Sequence, residues 1–249
     1  MALILLFLLT GCVREEQEVL TVFAASSLTE SFREIGRAFE AEHPGVKVQF
    51  NFAGSQVLVR QLVAGARGDV LVSADERYMM EALGQGLVEQ PRLMVTNRLV
   101  VVVAKGQEEI ENLGGLVRVK NLVLADPRVP AGVYTDQVLD SLVRIYGPEL
   151  KSRIMANVVS WENNVKQVLA KVVLGDAGGA LVYATDITPV VEKKVKVLEI
   201  PPEHNVEAKY YIAPVENSPQ KKLADEFIDF VMSSEGQATL IRFGFLRPR

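Results

Sequence analysis

Apolar positions along this chain switch repeatedly between a two-residue and a 3.6-residue period, and the switches divide it into alternating strands and helices. Residues 20–25 form a β-branched and aromatic run that predicts a strand, after which Leu28, Phe32, Ile35 and Phe39 recur at helical spacing over 28–42. His43, Pro44 and Gly45 stop that helix, because proline bars its continuation and glycine suits the turn. The same reading predicts a strand at 46–52, a helix near 55–65, a strand at 69–73 and a short helix at 76–84. Leu99 to Ala104, LVVVVA, is apolar without interruption, as expected of a strand buried on both faces. Beyond it come a strand at 121–125, a helix at 131–146, a strand near 156–160, a helix at 162–174 and strands at 179–183, 195–200 and 208–215. A helix near 219–234, with Leu223, Phe227, Ile228 and Val231 on one face, and a short one before Phe243 close the chain.

Strands alternating with helices predict an α/β protein, and two groups of such units separated by LVVVVA predict two lobes. We expect lobe 1 to comprise 19–98 and 207–249, with lobe 2, 99–206, inserted in it. Mixed sheets flanked by helices would leave a ligand cleft between the lobes, where the carboxyl ends of strands meet the N-termini of helices. No repeat at solenoid spacing interrupts the pattern.

Composition narrows the class. The 249 residues are 49% hydrophobic and 23% charged, sufficient for two cores, and a net charge of −4 with no Lys/Arg-rich patch argues against a nucleic-acid partner. An anion bound here would have to be held by local groups. Met1 to Leu9 is almost wholly apolar, too short to span a bilayer but suited to the apolar region of an export signal. It runs into Leu9-Thr10-Gly11-Cys12, which resembles the bacterial lipobox, whose cysteine is lipidated and becomes the first mature residue. Cys12 is the only cysteine, so no intramolecular disulfide competes for it. The expectation is a signal peptide at 1–11, a lipid on Cys12, a polar tether at 12–18 and an exported lipoprotein of the cell envelope. No Lys or Arg precedes the apolar run, a departure from the usual leader.

Five junctions between elements carry candidate chemistry. At the first, Ser26-Ser27, Ser27 and Glu30 fit the S-x-x-E capping box, so the plain reading is a helix cap. At the second, Phe52-Ala53-Gly54-Ser55, a glycine permits close backbone approach and a hydroxyl opens the next helix. The third, around Pro130-Ala131-Gly132, offers the backbone N–H of Ala131 in a first helical turn. The fourth, Glu162-Asn163-Asn164-Val165, opens another helix, and the fifth is the strand ending in Tyr183. Each alone reads as a cap, a loop or a core tyrosine. Together they gather donors at several helix starts, which suits an anion.

The ordered set AASSL (24–28), FAGS (52–55), GDVLVSAD (68–75), DPRVPAGVY (126–134), ENNV (162–165), GALVYATD (179–186) and RFGF (242–245) resembles the molybdate-binding proteins of bacterial ABC importers, over essentially all of 19–247. The resemblance implies a two-lobed periplasmic-binding-protein fold of type II. It also implies an oxyanion held by Ser27 and Ser55 from lobe 1 and by Ala131, Val165 and Tyr183 from lobe 2, with no direct protein–metal bond and no cofactor. Gly54 stands where many relatives have a further serine, and Gln56 also departs from the serine-rich pattern. The partners implied are an ABC permease and its ATPase, the protein being a monomer tethered by lipid alone.

Such donors match the ligand. A fully deprotonated oxyanion offers only acceptors, so hydroxyls, amides and helix N-termini suffice without a lysine. Hydrogen bonds to a charged group contribute about 1.5–3 kcal/mol each, and micromolar to nanomolar binding needs about −8 to −12 kcal/mol in all. Hydrogen phosphate would bring a donor against donors. Sulfate is smaller; tungstate is nearly isosteric with molybdate and is expected to bind as well.

Other clusters read as structural. Tyr210-Tyr211 resembles the paired tyrosines of ferric-ion receptors, but adjacent strand residues face opposite ways. Asp69 and Asp75 read as a loop acid and a helix cap, His43 and His204 as surface residues, and Trp161 as lobe packing. No G-x-S-x-G, H-E-x-x-H or G-x-x-x-x-G-K-[ST] pattern occurs. The expected function is a molybdate or tungstate receptor rather than an enzyme. The alternatives are a receptor for sulfate or ferric ion and, from another class, an exported hydrolase using Ser27.

Overall fold

The computed structural model describes residues 17–106 and 110–248. The expected signal peptide, the Cys12 anchor and the tether as far as residue 16 lie outside the described residues. Glu18, assigned to the tether, already pairs with Val46 as the first residue of a strand, so the folded part starts earlier than expected.

The strands are β1 (Glu18–Ala25), β2 (Val46–Ala53), β3 (Val70–Ser73), β4 (Arg92–Asn97), β5 (Leu99–Ala104), β6 (Leu122–Ala125), β7 (Val158–Glu162), β8 (Gly179–Tyr183), β9 (Val195–Glu199) and β10 (Ala208–Pro214). The helices are α1 (Thr29–Glu42), α2 (Ser55–Val63), α3 (Glu76–Gly84), α4 (Pro130–Tyr146), α5 (Leu150–Met155), α6 (Val165–Leu174), α7 (Pro189–Glu192), α8 (Lys221–Met232) and α9 (Ser234–Arg242). Sequence periodicity missed β4, α5 and α7. Several starts also differ by two or three residues: β1 begins at 18 rather than 20, β7 at 158 rather than 156, α8 at 221 rather than 219, and α6 at 165 rather than 162 because Glu162 still belongs to β7.

The strands form two mixed sheets, ordered β2-β1-β3-β10-β4 and β7-β6-β8-β5-β9. In the first, β1 runs parallel to β2 and β3, while β10 runs antiparallel to β3 and β4. In the second, β6 runs parallel to β7 and β8, while β5 runs antiparallel to β8 and β9. The two lobes thus share one topology. Burial of β5 between two neighbours accounts for LVVVVA, since both faces of its central residues are covered. In the first lobe Phe39 meets Phe227 edge to face at 5.2 Å between ring centroids, joining α1 to α8, whose Leu223, Phe227, Ile228 and Val231 are all buried.

The chain passes between sheets at Arg98, the one residue between β4 and β5, and again between β9 and β10. Its end returns to the first sheet, where Thr96 and Leu246 exchange backbone hydrogen bonds of 2.8 and 2.9 Å.

Candidate functional site

The strands that run parallel in each lobe end at one place. Ala25, Ser26 and Ser27 follow from β1, Ala53, Gly54 and Ser55 from β2, Ala74 from β3, Val129 to Ala131 from β6, Val165 from β7 and Tyr183 from β8, and all of these line one small cavity. None of the lining residues carries a charge. Ser27, Ser55, Ala131, Val165 and Tyr183, far apart in sequence, are therefore brought together; Ser26 lines the same wall and was not singled out from the sequence.

Ser27 does not make the capping box that its spacing with Glu30 allows. Residues 26–28 form a 3-10 turn without a side-chain cap, and the Ser27 hydroxyl lies 2.8 Å from the Tyr210 hydroxyl on β10. Glu30 turns instead to Lys166 of α6 at 2.7 Å. Ser55, the first residue of α2, accepts the N–H of Ala74 at 3.0 Å, which leaves its own proton free to be donated. Ala131 follows Pro130 in the first turn of α4, and Val165 opens α6 after Asn164, whose side chain accepts the Gln167 N–H at 3.0 Å. First-turn amides have no acceptor within their own helix, so both helix starts offer N–H groups and the positive end of a dipole.

Tyr183 is 1% exposed, and its hydroxyl is buried with no hydrogen-bond partner. Burial pushes its pKa well above the ordinary tyrosine value, with neighbouring Tyr210 adding to the effect, so the group is a neutral donor. An unpaired buried hydroxyl costs about 1–3 kcal/mol, and an acceptor in the cavity would relieve that cost. The Tyr183 backbone is fixed from behind by its N–H to Asp186 at 3.1 Å.

The lobes also touch directly around the cavity. Gln56 donates to the Asn163 carbonyl at 2.8 Å, and the Tyr78 hydroxyl and Arg77 donate to the Arg128 carbonyl at 2.6 and 3.0 Å. A Cβ on Gly54 would lie 2.6 Å from the Asn163 carbonyl and 2.4 Å from the Gln56 side chain. The two departures from the serine-rich pattern are therefore linked: Gln56 fills the space and forms the bridge that a side chain at 54 would obstruct. Lys166 pairs with both Glu30 and the fully buried Asp186, the latter at 3.1 Å. Burial opposes the charge on Lys166, but Asp186 and Glu30 outweigh it and raise its pKa. Lys166 is thus already neutralised, and the donors at the cavity wall are neutral.

The residues read as structural divide. Asp75 caps α3 through the Tyr78 N–H at 3.0 Å, and Asp69 accepts from the Thr21 N–H and the Ser218 hydroxyl at 2.7 and 2.6 Å. The histidines are half-buried rather than surface residues: His43 bonds the Phe39 carbonyl and stacks on its ring, and His204 bonds Ser141. Neither bonds Ser27, whose partner is Tyr210, so the base a serine hydrolase requires is not in place. Trp161 is 42% exposed on β7, the edge strand of its sheet, rather than packed between lobes. Tyr210 and Tyr211 do alternate, the first fully buried and the second partly so, but the inward member meets Ser27, a contact across 183 residues that no local pattern signals. Among the described residues no group of three or more His, Cys, Asp or Glu side chains is placed to hold a metal ion.

Comparison with known proteins places this geometry in a lineage. Residues 20–246 match the family model described as bacterial extracellular solute-binding protein. The molybdate-binding protein ModA of Mycobacterium tuberculosis is 37% identical over 232 residues, covering 92% of this chain and 85% of that protein. Among solved structures, the periplasmic molybdate-binding protein of Azotobacter vinelandii superposes with a TM-score of 0.80 at 20% identity, over 92% of this chain and all of that one. The sulfate-binding protein SubI of M. tuberculosis gives 0.79 at 18% identity, over 92% and 86%. The architecture is the two-lobed periplasmic-binding-protein fold, and the chain belongs to the bacterial extracellular solute-binding protein family.

Proposed function

We propose that this protein is a receptor for molybdate, and for tungstate alongside it, that delivers the oxyanion to an ABC permease and its ATPase. The observation that carries the reading is an uncharged cavity where Ser27, Ser55, Ala131, Val165 and the unpaired hydroxyl of Tyr183 converge. Two hydroxyls, two helix-start amides and a phenol supply donors only, and a fully deprotonated tetrahedral anion supplies acceptors only. Fold likeness does not separate molybdate from sulfate, since the two structural neighbours score 0.80 and 0.79. The preference for molybdate rests on the 37% identical relative and on the motif residues. Binding requires no covalent step, so the protein acts by closing lobe 1 (19–98 and 207–249) and lobe 2 (99–206) on the ligand, bending where the chain crosses at Arg98 and between β9 and β10. The lipobox-like LTGC supports reading it as an exported lipoprotein held to the envelope through Cys12, and we take it to act as a monomer.

Calorimetric titration of the protein with molybdate, tungstate, sulfate and phosphate at one pH tests this. Binding of the first two at 1:1 with no heat from the others is the expected result. Heat from sulfate alone would reassign the ligand, and silence from all four would reject an oxyanion receptor.

A further inference from the structure

Asn97 and Tyr210 stand behind the cavity wall, outside the set of residues that line it. Both are buried, at 1% and 0% exposure. Asn97 ends β4, immediately before the crossing at Arg98, and Tyr210 lies on β10 of the same sheet. The hydrogen bonds among these residues have a determinable direction. The Arg98 N–H can only donate, and it reaches the Asn97 side-chain oxygen at 2.9 Å, which fixes the amide's orientation. The Asn97 nitrogen then faces the Thr185 hydroxyl at 2.8 Å and the Tyr210 hydroxyl at 3.4 Å, and it too can only donate. Tyr210 therefore accepts from Asn97 and sends its own proton to the remaining partner, Ser27, at 2.8 Å. Burial raises the Tyr210 pKa against the opposing pull of its bonds to Ser27 and Asn97, so that proton stays on the phenol. Ser27, accepting from Tyr210, keeps its own proton for the cavity.

We infer that Asn97 and Tyr210 are positioning residues that hold Ser27 as an obligate donor, through a one-way chain from the Arg98 amide to the ligand. The inference rests on the oxyanion reading above and deepens it. Without Tyr210's proton the serine hydroxyl is a free rotor, able to accept as well as donate, and its bond to an anion is less polarised. The chain begins at the residue where the lobes join, so the donor is set by the same segment on which the hinge turns.

A double-mutant cycle on molybdate affinity tests the chain, because groups acting through one another are not additive. Tyr210→Phe is expected to weaken binding about 3- to 30-fold, and Ser27→Ala about 10- to 100-fold. In the Ser27→Ala background, Tyr210→Phe should have no further effect. Asn97→Ala serves as a second arm should Tyr210→Phe fail to fold. It removes the donor that Tyr210 accepts from and adds no charge, leaving the phenol free to accept from Ser27, so it too should weaken binding in wild type and not in Ser27→Ala. Wild-type affinity in the single variants, or losses that add to that of Ser27→Ala, would overturn the inference while leaving the receptor reading intact. A wild-type protein that binds neither molybdate nor tungstate would overturn both.

Discussion

At the residue scale, Tyr183 separates affinity from stability. Its hydroxyl is the one buried donor of a cavity-lining side chain without a partner, so Tyr183→Phe removes no hydrogen bond from the ligand-free protein while its ring contacts with Tyr134 and Tyr210 remain. With the anion bound, the same change removes a charge-assisted bond. Molybdate affinity is expected to fall about 10- to 100-fold, the equivalent of about 1.5–3 kcal/mol. The ligand-free melting temperature should rise above the wild-type value, because the cost of an unpaired buried hydroxyl is removed, while the further rise on adding molybdate shrinks. Calorimetry and thermal unfolding in parallel check both arms; a loss of melting temperature without a loss of affinity would make the hydroxyl structural. Ser27, Ser55 and Tyr183 were legible in sequence because each ends a strand or starts a helix inside a short motif. Tyr210 and Asn97 were not, since their role depends on which side chain of a distant element they meet.

At the scale of elements, most of the chain was legible because helical and strand periods are strong where one face is buried, as in α1 and α8. The strand β4 escaped for a physical reason: RLMVTN is half polar because its far side is a sheet edge and its last residues turn inward to partners that the local sequence does not contain. The α6 start differs because Trp161 and Glu162 continue an edge strand, and the cap is the second asparagine, Asn164. The loop between β6 and α4 yields a pH prediction. Hydrogen bonds from Arg128 to Asp126 hold the Asp126 carboxyl at about 2, below its ordinary 3.8, and that loop presents the Arg128 carbonyl to Tyr78 and Arg77 across the cleft. A lowered carboxylate pKa contributes stability above the unfolded value and loses it as pH falls through the folded one. Thermal unfolding should therefore show a component lost between about pH 4 and pH 2 that Asp126→Asn lacks. The effect is small, because the pair is open to solvent, and identical profiles for the two proteins would show that the pair contributes nothing.

For the molecule as a whole, each lobe places a fourth, antiparallel strand, β10 or β5, beside three parallel ones, and the parallel strands end at the shared cavity. No sequence repeat announces this correspondence, because it lies in strand order and direction rather than in side chains. Closure then depends on contacts that exist only when the lobes meet. Among these, Lys166–Glu30 joins α6 to α1 at 2.7 Å, with side chains 25% and 40% exposed. Glu30→Gln removes the cross-cleft charge but leaves Lys166 its pairing with the buried Asp186, so the fold of each lobe is kept. Breaking Lys166 itself would strand Asp186 in the core and confound binding with stability. A half-exposed pair is worth up to about 1 kcal/mol, so Glu30→Gln should weaken molybdate binding by no more than about fivefold. Most of that change should appear as faster release, because the contact forms after the ligand has entered. Stopped-flow release from wild type and Glu30→Gln at low and high salt decides the point: the difference should shrink as salt screens the wild-type pair. An equal release rate at low salt would show that the pair plays no part in holding the lobes closed.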